Sequence, residues 1–116
     1  EKSTVIAFGT DFPVEDISPI MTFYSATVRK DKDGYPEDGF QTENMINRSD
    51  ALHAMTIFGA FANFEENEKG SIEVGKDADF IILDNDILSS PEASIPNTNV
   101  VATFINGELV FNRRYN

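Results

Sequence analysis

The chain contains no cysteine and a single histidine, His53, and its 9 lysines and arginines are outnumbered by 20 aspartates and glutamates. Without cysteine there can be no disulfide and no thiolate metal site, an absence compatible with a reducing compartment. Catalytic zinc takes several protein ligands, mostly imidazole with some carboxylate, so one histidine cannot complete such a site. Any metal must borrow ligands from elsewhere, and this chain alone is expected to bind none. The formal net charge of -11 repels phosphate backbones and anionic lipid surfaces, which argues against nucleic-acid and membrane partners. No apolar run approaches the roughly 18 residues of a spanning helix, and no basic-then-apolar leader is present, so the expected location is the cytoplasm. A chain that opens on Glu1 and enters an apolar stretch within a few residues reads as a piece of a longer protein.

What is present fits a globular class: 116 residues, 41% apolar and 25% charged, enough for one real core. The stretch Ser3 to Pro13, STVIAFGTDFP, organises the reading. Thr4 to Phe8 is a run of β-branched and aromatic residues stopped by glycine, and its unalternated apolarity predicts a strand buried on both faces. Asp11 then falls just past the strand's C-terminal end. In parallel α/β folds the loops at that end converge on one site, so an aspartate there is a catalytic candidate. It is equally readable as a turn or helix-capping aspartate.

Further along, Ser18 and Pro19 suit the start of a helix running to Arg29, and Ile20, Phe23, Tyr24, Thr27 and Val28 follow helical spacing on one buried face. Asp31 to Asn44 is an acidic loop. Its DKDG opening is similar to a calcium loop, but the glycine comes too early and Thr42 stands where a bidentate glutamate belongs. Ser49 is a suitable cap for a second helix to about Asn63, with Ala51, Ala54, Met55, Phe58, Phe61 and Ala62 on one face. His53 falls opposite that stripe and reads as a solvated surface residue. Phe58, Phe61 and Phe64 read as core packing.

From Gly70 the period changes. Ser71 to Val74 and Ala78 to Leu83 read as short strands about a Gly75-Lys76-Asp77 turn, and Asn85 to Asn99 as a loop with two prolines. Val100 to Ile105 and Glu108 to Asn112 flank Asn106-Gly107, whose residues both accept the positive φ of a two-residue hairpin turn. That loop pairs Phe104 with Leu109 and Ala102 with Phe111 on one face. Gly70 to Lys76 also matches the start of a phosphate-binding loop. The match fails because Asp77 replaces the hydroxyl that meets magnesium, Glu73 places negative charge in the cradle, and a strand follows where a helix is required.

Gly70 to Asp84, GSIEVGKDADFIILD, resembles the C-terminal hallmark of the amidohydrolase superfamily, G-x-I-x-x-G-x-x-A-D followed by a hydrophobic strand. Ala51 to Ala62 is similar to that family's last barrel helix, VVATFINGELVF to its closing hairpin, and Gly9 to Pro13 to its G-S-D-x-P segment at the end of the eighth barrel strand. With the loop TVRKDKDGYPEDGF, the resemblance narrows to the YtcJ-like branch, amidohydrolase family 3, metal-dependent hydrolases with a TIM-barrel fold. It covers nearly the whole chain. The resemblance implies an α/β fold in two parts: residues 1-69 as the last strand and helices of a (β/α)8 barrel, and residues 70-116 as half of a small composite β-sandwich. It implies a small-molecule substrate with a C-N (amide-type) bond and a divalent metal, zinc by expectation, in the full-length protein. Asp11 would touch that metal and shuttle a proton from the attacking water to the leaving nitrogen, the other ligands lying outside this chain. Thr10 departs mildly from the family's serine. Strand edges without neighbours predict either docking against the rest of the polypeptide or a homo-oligomer. The rival reading is a non-catalytic α+β assembly or binding module, a degenerate tail of such an enzyme.

Overall fold

The computed structural model describes residues 5–114 and contains three short α-helices and a three-stranded antiparallel sheet, a mixed α/β arrangement. Helix α1, Pro19–Val28, begins where the sequence places it. Ser18 Oγ accepts the Met21 N–H at 3.4 Å, a proline occupies the first turn, and Arg29 closes the end in the left-handed region with its N–H on Ser25 O at 3.1 Å. Ile20, Phe23, Tyr24, Thr27 and Val28 are all buried, as their spacing requires. Thr27 stays satisfied there because its Oγ1 donates to Phe23 O at 2.9 Å.

The second helix is not continuous. Helix α2, Arg48–Met55, is capped by Asn47, two residues earlier than expected: Asn47 Oδ1 accepts Asp50 N–H at 2.8 Å while its amide donates to Asp50 Oδ2 at 2.7 Å. Two reciprocal bonds outbid the single bond a Ser49 cap would make. At Thr56 the backbone leaves the helical region, and the Thr56 hydroxyl donates to Leu52 O at 2.7 Å. Such back-bonding competes with the helical ladder. Helix α3, Ile57–Ala62, restarts after that break, so the expected apolar stripe divides: Ala51, Ala54 and Ala60 are buried, but Phe61 is half exposed and Phe64, at positive φ, lies on the surface.

The core joins both halves of the sequence. Ile20, Phe23, Tyr24, Val28 and Ala51 pack with Ile87 and Ile95, and Phe23 and Ile95 are completely buried, each contributing about 1.5–3 kcal/mol of transfer free energy. Ile95 is delivered by a 3-10 turn, Glu92–Asn97, inside the segment expected to be plain loop. That segment is held by Arg48, whose Nη1 donates to Ile87 O at 3.2 Å and Ser90 O at 2.6 Å, and by Asn85, whose amide donates to Thr98 Oγ1 at 3.0 Å.

Strands β1 (Phe80–Leu83), β2 (Val100–Ile105) and β3 (Glu108–Asn112) form the sheet in that order. Asn106 and Gly107 turn the β2–β3 hairpin with φ of 50° and 78°. Phe104 pairs with Leu109 as the two-residue loop demands. A bulge between Thr103 and Phe104 then sets Thr103 opposite Phe111 and Ala102 opposite Asn112, correcting the expected Ala102–Phe111 pair. One extra residue shifts the alternation, so Phe111 leaves the row of Phe104 and Leu109. On the other side Phe80 pairs with Phe104, their rings stacked at 4.5 Å.

Two expected strands are absent among the described residues. Ser71 to Val74 is irregular, with Ile72 and Val74 almost fully exposed, because turns at Gly70 and Gly75, both at positive φ, leave too little chain between them to pair. Of Thr4 to Phe8, Thr4 lies outside the described residues, and 5–8 runs without a ladder; Val5 and Ile6 are half exposed rather than buried on both faces. A strand is defined by its neighbours, and no described strand lies beside this one.

Candidate functional site

Asp11 sits at the end of the segment that Phe8 anchors. Phe8 N–H donates to Ala54 O on α2 at 2.9 Å, and its ring packs on the core. Gly9 and Thr10 carry the chain outward, and Asp11 turns it at φ 52°, a left-handed conformation that aspartate tolerates better than most residues. The turn is closed by the main chain, with Val14 N–H on Asp11 O at 2.9 Å. The Asp11 side chain is therefore not what holds the turn. It is exposed, and among the described residues no donor engages its carboxylate.

Beside it the surface is hollowed into a small pocket of ≈ 90 Å³, lined by Phe8, Gly9, Thr10, Pro19, Thr22 and Met55. Three elements meet there: the segment leading to Asp11, the first turns of α1, and the end of α2. Thr22 and Met55 were not candidates from the sequence. Met55 reads as one more member of an apolar stripe, and the only signal for Thr22 is a hydroxyl one turn beyond the Ser18 cap.

The remaining candidates are dispersed. His53 is exposed on α2, its ring 5.7 Å from that of Phe58. Among the described residues no three of histidine, cysteine, aspartate and glutamate converge as a metal-binding group. Asp11 offers one carboxylate. Asp31 Oδ1 accepts the N–H groups of Asp33 and Tyr35, both at 2.9 Å, so the DKDG carboxylate caps its own loop. Lys76 is likewise engaged: its Nζ donates to Ser71 Oγ at 2.6 Å and pairs with Glu73 at 2.8 Å. Those contacts, Lys76 first and Ser71 after it, hold the exposed Glu73 carboxyl below its ordinary range. The phosphate-loop lysine is spent on its own loop. Among the described residues no helix is long and apolar enough to cross a membrane.

The model of the amidohydrolase family matches residues 1–111. The chain is 27% identical over 112 residues to YtcJ of Bacillus subtilis, whose name assigns it to the amidohydrolases; the match takes in 97% of this chain and 21% of that protein. It is 28% identical over 108 residues to the N-substituted formamide deformylase of Arthrobacter pascens, covering 93% of this chain and 19% of the deformylase. In three dimensions it is similar to the crystal structure of an amidohydrolase from Thermotoga maritima, with a TM-score of 0.63 and 26% identity, over 95% of this chain and 24% of that one. The chain therefore spans about a fifth of the length of the curated relatives it matches. With a family model matched along almost its whole length and the same chain path in a solved amidohydrolase, this chain belongs to the amidohydrolase family.

Proposed function

We propose that this chain is the C-terminal portion of a metal-dependent amidohydrolase that hydrolyses C-N (amide-type) bonds of small molecules, with Asp11 moving the proton. In this reading residues 1-69 supply the last strand and helices of a TIM-barrel catalytic domain, and residues 70-116 half of a β-sandwich completed by the rest of the polypeptide. The observation that supports it best is the state of Asp11: its main-chain carbonyl closes the turn, and its exposed carboxylate is left without a described partner, beside a pocket. A capping aspartate would have spent its side chain on the backbone. The name of the formamide deformylase supports amide-type substrates.

Asp11 accepts the proton that water gives up as its oxygen bonds to the carbonyl carbon, then delivers it to the nitrogen as the C-N bond breaks. Both transfers need only one carboxylate within hydrogen-bond reach of water and leaving group. A divalent metal, zinc by expectation, held by residues outside this chain with Asp11 as one ligand, would supply a water of pKa about 7. The outer edges of β1 and β3, unpaired among the described residues, and the exposed Ile81, Leu109 and Val110 suit covering by the rest of the chain or by a second copy.

The test is Asp11→Asn in the full-length protein, with N-substituted formamides and simple amides as substrates. Asparagine keeps size and hydrogen bonding but cannot accept and return the proton, so kcat should fall by about 10²–10⁴-fold with the fold retained. Asp77→Asn, in an exposed turn far along the chain, is the control and should leave the rate unchanged. Retention of more than about a tenth of kcat by Asp11→Asn rejects the proton role and favours the non-catalytic assembly module.

A further inference from the structure

We propose that Asn106 is a self-modifying site, deamidated by the backbone nitrogen of Gly107, and that the Ala78–Asp79 pair governs the rate by holding the turn shut. Asn106 and Gly107 are both exposed at the tip of the β2–β3 hairpin, and Gly107 has no Cβ to shield its nitrogen. In the reaction that nitrogen gives up its proton and bonds to Asn106 Cγ, the bond from Cγ to the side-chain nitrogen breaks, and ammonia leaves with the proton. Water then opens the five-membered imide at either carbonyl, yielding aspartate or isoaspartate. No oxidant or other co-reactant is needed.

The geometry also shows what restrains it. Gly107 N–H donates to Ala78 O at 3.0 Å, and Asn106 N–H donates to Asp79 Oδ1 at 2.8 Å. Both N–H groups of the turn are thus held by two consecutive residues nearly thirty positions earlier in the chain. The nucleophilic nitrogen keeps its proton while Ala78 O accepts it, and the left-handed φ of Asn106 fixes the peptide's direction. The nitrogen reaches Cγ only when the hairpin tip lifts off Ala78 and Asp79. The rate then follows the population of that open form. Conversion is one-way. Aspartate at 106 sets a second carboxylate beside Asp79, and isoaspartate lengthens the backbone by one carbon in a two-residue loop whose register leaves no slack.

The experiment incubates the full-length protein at mildly alkaline pH and follows the amide-to-acid mass change in a proteolytic peptide containing Asn106. Slow conversion is expected in the wild type. Asp79→Ala, which removes one latch bond to a charged group, should convert about tenfold faster or more. Asp79→Asn keeps the acceptor oxygen and should fall between. A sub-denaturing amount of urea should accelerate the wild type, a readout that stands even if Asp79→Ala does not fold. No conversion at Asn106 in folded or urea-treated protein overturns the proposal, and so does an Asp79→Ala rate equal to that of the wild type.

Discussion

Replacing Gly70 by alanine tests whether the first glycine of the hallmark is there for packing or for its backbone alone. Its φ of +90° is a conformation L-residues rarely adopt, which sets a cost of about 1–2 kcal/mol for any side chain. A Cβ at Gly70 would also stand 2.7 Å from Ala60 Cβ, 3.0 Å from Ile57 Cα and 3.3 Å from Ile57 Cδ1. Carbon atoms rest at about 3.5–4.0 Å, and the two nearest atoms are a short buried side chain and backbone, neither of which can swing away. Overpacking of that kind costs about 1–3 kcal/mol. Gly75 is the matched control: φ is +95° but nothing lies within 4 Å, so Gly75→Ala bears the backbone cost alone. Gly70→Ala should destabilise α3 by about 2–5 kcal/mol and Gly75→Ala by about 1–2. Hydrogen exchange of α3 amides in the full-length protein, across a urea series, measures the difference locally. If the two variants agree within about 0.5 kcal/mol, the close approach of Gly70 to α3 has no energetic consequence and the reasoning fails.

Other outcomes follow from the core and from the charged turns. Phe23→Ala empties a fully buried position and should cost about 3–5 kcal/mol, whereas Phe64→Ala, at a ring that is 91% exposed, should cost almost nothing; denaturant midpoints for the pair check it. Asp84 titrates below its ordinary range because the Asn99 backbone N–H, and after it the Asn99 side-chain amide, donate to its carboxylate. Since the folded value lies below the unfolded one, its contribution is complete above the ordinary carboxylate range and is lost as pH falls through the lower, folded value. Asn99→Ala should move the Asp84 titration upward in NMR, and an unmoved titration would count against the assignment.

Much of the fold was legible because its signals are local. Ser18, Pro19 and the spacing from Ile20 to Val28 fix α1, and Asn106-Gly107 fixes the hairpin and its first pair. What escaped depends on atoms distant in sequence or on bonds that compete at one residue. Thr56 breaks a helix whose apolar periodicity runs on past it, because its hydroxyl bonds back to Leu52. Nothing in the alternation of β3 announces that Phe111 will face Thr103, since the bulge answers to the sheet and not to the strand. Ile95 enters the core from a proline-flanked stretch that reads as loop, where it packs with Phe23 and the other buried residues of α1. The sequence sets Asp11 after a strand that the described residues do not form, and that its turn is closed by its own carbonyl, with no described donor on the carboxylate, required coordinates.

The union of Phe23 and Ile95 in one core also sets a timetable. Helix α1 leaves the ribosome long before its cover: roughly 70 residues separate the two positions, and at about 5–20 residues per second the ring of Phe23 waits several seconds for Ile95 to emerge. Helix α2 can dock early, being nearby in the chain, but Arg48 has no Ile87 or Ser90 carbonyl to grasp during that interval. Until the late segment arrives, α1 presents its apolar face to whatever else is in the cell, and codons or chaperones that lengthen or shield that wait act on yield without touching the finished protein.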